Sequence, residues 1–362
     1  MPTTATDETA YWLRLVLIPG LGHVALRKLL AALGPPDRVL AARHTELRNF
    51  VSADVASLIS AGGNADAAQH ALAWLTEPAN HVVTLGDANY PRLLLQTADP
   101  PPLLYVKGRL DLLNRPALAI VGSRNATTQG TNNAAEFARA LSEAGITIVS
   151  GLALGIDAAA HRGGLAGPGS SLAVVGTGLD VVYPARNKAL AHELAERGAL
   201  VSEFPLGTPP LGNNFPRRNR LISGMSLGCL VVEAALQSGS LITARFANEQ
   251  GREVFALPGS IHSPLAKGCH ALIKQGAKLV DAANDILEEL QLPAVQSAAL
   301  PTPELDPDAV RLLDALGYEP CGLDTLCRRT GLGVDTVTAT LLKLELQRLV
   351  ENLPGGQHQR TR

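Results

Sequence analysis

Residues 117–151 read ALAIVGSRNATTQGTNNAAEFARALSEAGITIVSG, and this stretch decides the fold. A short apolar run ends in Gly122, a helix-like segment follows, and a second apolar run ends in Gly151. The pattern continues through SLAVVGTG (171–178), ALVSEF (199–204), CLVVEAA (229–235), EVFALPG (253–259) and AKLV (277–280). Helical patterns separate these runs. Such alternation is the signature of an α/β protein, a parallel sheet with helices on both faces.

The glycines mark where a ligand would sit. Gly122, Gly151 and Gly176 each close an apolar run. In an open parallel sheet, ligands bind beyond the carboxyl ends of the strands, where glycine lets backbone approach them. The helix that follows each strand offers free N–H groups to an anion. The first such loop, Gly122-Ser123-Arg124, adds a guanidinium able to grip phosphate in bidentate fashion. A tight βα turn would account for the glycines alone, but it needs no arginine. Gly176-Thr177-Gly178 lacks the third glycine of a dinucleotide fingerprint, and no GxxxxGK[ST] phosphate loop is present.

A second cluster is Phe215-Pro216-Arg217-Arg218-Asn219-Arg220. Basic residues beside an aromatic suit a single nucleic-acid strand, where charge follows the backbone and a ring stacks on a base. The alternative is a solvated helix start with Phe215 tucked inward. A third cluster, Ser238-Gly239-Ser240, opens a helix and reads as an N-cap joined to an anion nest. Arg124, Phe215 and the arginines of 217–220 are predicted to form one groove at the carboxyl edge of the sheet.

Bulk properties bound these readings. The chain has 362 residues, enough for two or three domains. It is 46% hydrophobic but only 4% aromatic, with a formal net charge of -2. That balance excludes a surface that is basic throughout, so a nucleic-acid site must be a local cluster. Cys229, Cys269, Cys321 and Cys327 show neither CxxC pairing nor a His at zinc spacing, so reduced thiols and no metal are expected. The opening MPTTATDETAYW lacks the pattern of a signal peptide, and no run of apolar residues is long enough to span a membrane. A cytoplasmic protein is expected.

Residues 1–78 are predicted to form a helical domain, 79–292 the sheet domain, 293–307 a Pro- and Ala-rich linker, and 308–362 a small C-terminal domain. Within the first, 17–30 carries Gly20 and Gly22 at the spacing of a helix-hairpin-helix, SAM-like turn. In the last, DAVRLLDAL (308–316), LDTLCRRTGL (323–332) and VDTVTATLLKLELQRLV (334–350) read as three helices and VENLPGG (350–356) as a wing. That third helix offers only Lys343 and Arg348 against Asp335 and Glu345, which favours a structural or protein-contact role over duplex reading.

Taken together, GSR (122–124), SGLALGIDAAAH (150–161), VVGTGLDVVYPARNKAL (174–190), SEFP (202–205), FPRRNRLI (215–222), VVEAALQSGSLITARFA (231–247), GREVFALPGS (251–260) and GCHALIKQGAKLV (268–280) resemble the DNA-processing protein A (DprA/Smf) family. The likeness extends over residues 80–290, with YPRLLLQTADPPPLLYVKG (90–108) resembling its lead-in. It implies a Rossmann-like domain between a helical domain and a winged helix, and a homodimer without cofactor. It implies a recombination mediator that binds single-stranded DNA, as in natural transformation, and helps load RecA onto strands coated by single-strand binding protein. Gly122, Ser123 and Arg124 would grip phosphate, Phe215 would contact the nucleotide, and Arg218, Asn219 and Arg220 would supply charge. Gly151, Gly155 and Gly176 belong to the same binding motifs. Where relatives carry basic residues, this chain has Leu154, Ala185 and Gly212; Arg186, Lys188 and Arg217 stand near enough in sequence to replace that charge.

A rival function is a nucleotide-binding enzyme of the phosphoribohydrolase type, with Arg124 and Glu233 at a Gly-rich turn. Asp157 and His161, four apart on one helix face, would then be an acid–base pair. No PGGxGTxxE-like loop supports it, since Pro258-Gly259-Ser260 follows a different strand. No enzymatic activity is expected.

Overall fold

The computed structural model describes residues 5–293, 305–347 and 349–361. The linker expected over 293–307 lies mostly outside these residues, as does Arg348. Two compact units are present, Met1–Ala126 with Ala134–Val295, and Thr127–Asn133 with Gln296–Arg362.

The first unit opens on helices α1 (Ala5–Val16), α2 (His23–Leu33), α3 (Pro36–Ala41), α4 (His44–Leu47), α5 (Ala53–Ser60) and α6 (Ala65–Trp74). Gly20, in the turn between α1 and α2, adopts φ +83°, the left-handed region that favours glycine. Leu15, Ile18, Leu26, Leu29, Val39 and Ile59 form a core of their own. Trp12 and Leu13, however, pack with Tyr105, Leu179 and Leu194 of the sheet region. These helices are thereby fused to the sheet.

Ahead of the parallel strands lie β1 (Asn80–Thr84), the short helix α7 (Arg92–Leu95) and β2 (Leu103–Gly108). There follow β3 (Ala117–Val121), α8 (Thr128–Glu143), β4 (Thr147–Ser150), α9 (Ile156–Leu165), β5 (Ser171–Val174), α10 (Lys188–Arg197) and β6 (Ala199–Ser202). The series closes with α11 (Asn214–Gly224), β7 (Gly228–Val231), α12 (Ser240–Glu249), β8 (Glu253–Ala256), α13 (Lys267–Lys274), β9 (Lys278–Leu279) and α14 (Ala283–Glu289). All seven apolar runs of the sequence are therefore strands.

Spatial order in the sheet is β1-β2-β6-β5-β4-β3-β7-β8-β9. The seven strands from β6 to β9 are parallel, while β1 and β2 add an antiparallel edge. Alternate strand residues feed opposite faces, as a pleated strand requires. Ala117, Ala119 and Val121 pack with Leu221, Ile222 and Ala244 of α11 and α12, and Leu118 and Ile120 with Ala138 of α8 and Ala159 of α9. The topology also creates a switch point. From β3 the chain winds through β4 and β5 to β6, then returns to lay β7 on the other side of β3. The loops leaving β3 and β7 diverge, opening a crevice between them.

The second unit contains α15 (Pro307–Leu316), β10 (Cys321–Gly322), α16 (Leu323–Thr330), α17 (Val334–Leu346), β11 (Val350–Leu353) and β12 (Gln357–Arg360). Leu312, Leu316, Leu326, Val337, Leu341 and Leu344 form its core. The expected three helices are present, and β11 and β12 form the wing hairpin, with Gly355 and Gly356 at positive φ in its turn. Among the described residues no helix is long and apolar enough to cross a membrane. No group of three His, Cys, Asp or Glu side chains there is placed to hold a metal.

Candidate functional site

The crevice between β3 and β7 is a cleft of about 520 Å³. Gly122, Ser123 and Arg124 line one side, Ser238, Gly239 and Ser240 another, and Phe215, Arg218 and Asn219 a third. Three segments far apart in sequence thus meet where the topology predicts a ligand site.

The first loop is shaped by two glycines. A Cβ on Gly122 would lie 2.6 Å from Ile156 Cγ1 and 2.9 Å from the Glu233 carbonyl oxygen. Gly155 adopts φ +73° directly against the Ser123 carbonyl, which accepts the Ile156 N–H at 3.1 Å. The loop is therefore pressed onto the start of α9. Ser123 turns inward, its Oγ accepting the Asn125 N–H at 3.1 Å, and leaves Arg124 exposed.

At the start of α12, Ser238 Oγ accepts the Ser240 N–H at 3.3 Å and lies 2.7 Å from Ser240 Oγ. Gly239 adopts φ −61° and ψ −20°, right-handed geometry. With Gly239 right-handed, the form of anion nest that alternates right- and left-handed residues is not made at this position. These residues form a capped helix start that faces the cleft.

Helix α11 divides its basic residues. Phe215, half-buried, stands beneath the Arg124 guanidinium, 5.9 Å from its ring centroid, and a Cβ on Gly176 would come within 3.0 Å of it. Asn219 Nδ2 donates to the Gly239 carbonyl at 3.3 Å, joining α11 to α12. Arg218 is only 4% exposed. It donates to the carbonyls of Gly151, at 2.6 Å, and Val174, knitting the ends of β4 and β5. A Cβ on Gly151 would fall 2.7 Å from both Arg218 Nη2 and Asp157 Oδ2. Burial lowers the Arg218 pKa to about 10, which leaves it charged at neutral pH. Arg218 is thus a wall residue of the cleft rather than a freely extended cation: its Nη1 is committed to those two carbonyls and its Nε donates to Asn219 Oδ1 at 3.2 Å.

Arg217 and Arg220 turn the other way. Both reach the buried carboxylate of Glu203, Arg217 through Nε at 3.2 Å, and Arg220 also donates to the Asp99 carbonyl. Arg217 stacks over Phe204 at 5.4 Å and keeps half of its side chain exposed. From α2, His23 Nδ1 approaches Glu203 at 3.7 Å and Arg27 pairs with Asp99 at 2.6 Å. Burial lowers the His23 pKa to about 4, the Arg217 and Arg220 charges adding to the effect. The single basic groove expected from 217–220 is therefore three separate environments. Arg186 and Lys188 are exposed and lie outside the lining of this cleft.

The acid–base pair weighed for Asp157 and His161 does not form. Asp157 accepts the Gly151 and Ala153 N–H groups at 3.1 and 3.3 Å. Its pKa is raised by burial, with the Arg218 charge opposing. His161 Nε2 accepts the Leu152 N–H at 3.3 Å while Nδ1 meets Ser171 Oγ at 2.7 Å, and burial lowers its pKa to about 3. Both side chains hold the β4–α9 loop.

Sequence reasoning missed Tyr183. Its ring lies 5.4 Å from that of Phe215, tilted 37°, and is 45% exposed. The signal available was a scarce aromatic in a Gly-rich loop leaving a strand.

The family model described as DNA recombination-mediator protein A matches residues 81–291, and that of the DprA winged helix domain matches 296–356. The chain is 47% identical to Protein Smf of Escherichia coli over 304 residues, covering 80% of this chain and 79% of that protein. It is 36% identical to Protein Smf of Synechocystis, covering 98% and 100% respectively. Among solved structures, DNA processing protein A of Streptococcus pneumoniae superposes with TM-score 0.69 at 37% identity, covering 77% of this chain and 97% of that one. DNA processing protein A of Helicobacter pylori, described for its single-stranded DNA binding mode, superposes with TM-score 0.53 at 30% identity, covering 59% and 95%.

Proposed function

The chain belongs to the DprA/Smf family, and from that premise we propose that it is a single-stranded-DNA-binding recombination mediator whose strand occupies the cleft between β3 and β7. One observation carries the reading: the exposed Arg124 guanidinium sits 5.9 Å over the half-buried Phe215 ring, at the switch point of the sheet. A cation beside a ring answers the two chemistries of a single strand, its phosphate and its unstacked base. Ser123, Asn219 and the capped start of α12 complete the polar wall, and Gly122, Gly151, Gly155 and Gly176 hold these elements close. Loading of RecA onto strands coated by single-strand binding protein, and a homodimer of twice 37.9 kDa, rest on family membership. The acid–base pair of the enzymatic alternative is not made, because Asp157 accepts the Gly151 and Ala153 N–H groups while His161 is held between the Leu152 N–H and Ser171 Oγ.

Titration across a salt series tests the site. Phe215→Ala removes a stacked ring worth about 1–3 kcal/mol per base and weakens single-strand binding by about ten-fold. Arg124→Ala removes one phosphate contact and lowers the salt slope by about 0.7. Duplex binding changes little, since paired bases cannot stack. Unchanged single-strand affinity in both variants, with the fold intact by circular dichroism, removes the site from this cleft. RecA filament formation on coated strands tests the mediator step, competition in place of acceleration refuting it. Sedimentation at micromolar concentration tests the dimer.

A further inference from the structure

Glu203 follows directly on β6, and its side chain is closed to solvent. Two arginines of α11 converge on it: Arg217 Nε lies 3.2 Å from Oε1, and Arg220 Nη2 pairs with Oε2. These guanidinium groups favour its charged form, against the burial that raises its pKa. Helix α2 closes the other side. His23 Nδ1 stands 3.7 Å from Oε2, and Arg27 pairs with Asp99 at 2.6 Å and donates to the Pro100 carbonyl at 2.8 Å. Arg220 donates to the Asp99 carbonyl, so residues 99 and 100 are gripped from α2 and α11 together.

We propose that Glu203 is a positioning residue of the strand site, whose buried carboxylate ties the first turn of α11, and with it Phe215, to the end of β6 and to helix α2. The inference rests on the single-strand reading above and extends it to a residue outside the cleft. Leu221 and Ile222, which bury the helix against the sheet, lie in its second half. Its first turn, Asn214 to Arg217, starts without a side-chain cap from Asn213. Helix ends fray where side chains do not hold them. Two side chains hold this one: Asn214 Nδ2 donates to the Gly176 carbonyl at 3.1 Å, and Arg217 reaches Glu203 while stacking over Phe204 at 5.4 Å. A buried carboxylate between two cations is a fixed point, because withdrawing either cation would leave charge uncompensated out of water. Holding Arg217 and Arg220 therefore holds the turn that presents the Phe215 ring to Arg124. By charge alone an acid repels a polyanion, so what Glu203 contributes to binding comes through position.

The test is the sign of the change in Glu203→Gln, which keeps the shape and removes the charge. Losing an acid near a polyanion site tightens binding by electrostatics alone; losing a positioning residue weakens it. The expected result is a fall in affinity for oligothymidylate of about five-fold, part of the ten-fold attached to one stacked base. In a Phe215→Ala background the same substitution costs nothing further, because there is no ring to place. Arg217→Met, at a half-exposed position, carries the test if Glu203→Gln does not fold. It too weakens binding only where Phe215 is present, and it leaves the salt slope unchanged. Tighter or unchanged binding by Glu203→Gln, with the fold intact by circular dichroism, overturns the proposal, as does an equal loss in both backgrounds. So does a salt slope lowered by about 0.7 in Arg217→Met, the mark of a direct phosphate contact. These outcomes leave the cleft reading standing where Phe215→Ala itself weakens binding. A Phe215→Ala protein that binds as the wild type refutes that reading and this proposal with it.

Discussion

The carboxyl edge of the sheet and the helix α17 of the second unit are two places weighed for nucleic-acid contact from the sequence, and they are built in opposite ways. At the sheet edge, glycines bring backbone within van der Waals distance, a buried arginine fixes the loops, and an exposed arginine projects over a ring. On α17 the exposed residues include Asp335, Leu342, Lys343 and Leu346, and Lys343 lies 3.5 Å from Asp306. In winged helices this helix enters the major groove, where phosphate contacts need free cations. Here its described cation is paired with an acid. The difference teaches that one chain can carry a cleft shaped by close backbone packing at one place and an acid-paired helix face at another.

The largest expected effect breaks the foundation of the sheet edge. Arg218→Met deprives the buried Asp157 carboxylate of its countercharge and the Gly151 and Val174 carbonyls of their donor. Removing one partner of a buried charge system costs about 3–5 kcal/mol, so the melting temperature falls and single-strand affinity falls with it. A variant that melts and binds as the wild type would show that the loops hold themselves.

Acid should sharpen the contrast by a smaller amount. His161 is neutral in the folded chain, its pKa lowered to about 3, against 6.5 when unfolded. Between those values the unfolded state binds the extra proton, so this group's contribution is present above about pH 6.5 and is lost as pH falls. His23, lowered to about 4, acts in the same sense. The raised carboxyls of Asp157 and Glu203 act oppositely, which makes a comparison with a variant the clean measurement. His161→Gln should flatten the pH dependence of stability between pH 6 and 4 by about 1.4 kcal/mol per unit. Parallel curves for the two proteins would contradict the buried neutral ring.

The smallest effect belongs to α17. Lys343→Ala should change single-strand and duplex affinity by less than about two-fold, as expected for an exposed, acid-paired lysine. A ten-fold loss would transfer a share of the binding to the winged helix and erase the contrast.

Much of this was legible in the chain. Apolar runs punctuated by glycine announced seven strands, and Gly122-Ser123-Arg124 announced the loop that carries the exposed cation. The capped start of α12 was visible in Ser238 and Ser240. Tyr183 was not legible as a site residue, because nothing local says that its loop returns beside Phe215. The antiparallel edge was also hidden: β1 (NHVVT) and β2 (LLYVKG) carry no mark of their direction, because strand direction is a matter of connection, not composition.

The six residues from Phe215 to Arg220 mark the boundary most clearly. By itself the sequence determined that an aromatic, three arginines and an asparagine would lie together on one segment at the end of a βα unit. Successive residues of an α-helix point about 100° apart, so such a run must be shared among several faces. Which face meets which surroundings was decided by packing alone. Burying Leu221 and Ile222 against the sheet drew Arg218 inward, left Phe215 and Asn219 at the cleft, and turned Arg217 and Arg220 toward Glu203. Burial of apolar area sets the rotation of the helix, and the charges take the partners that rotation leaves them.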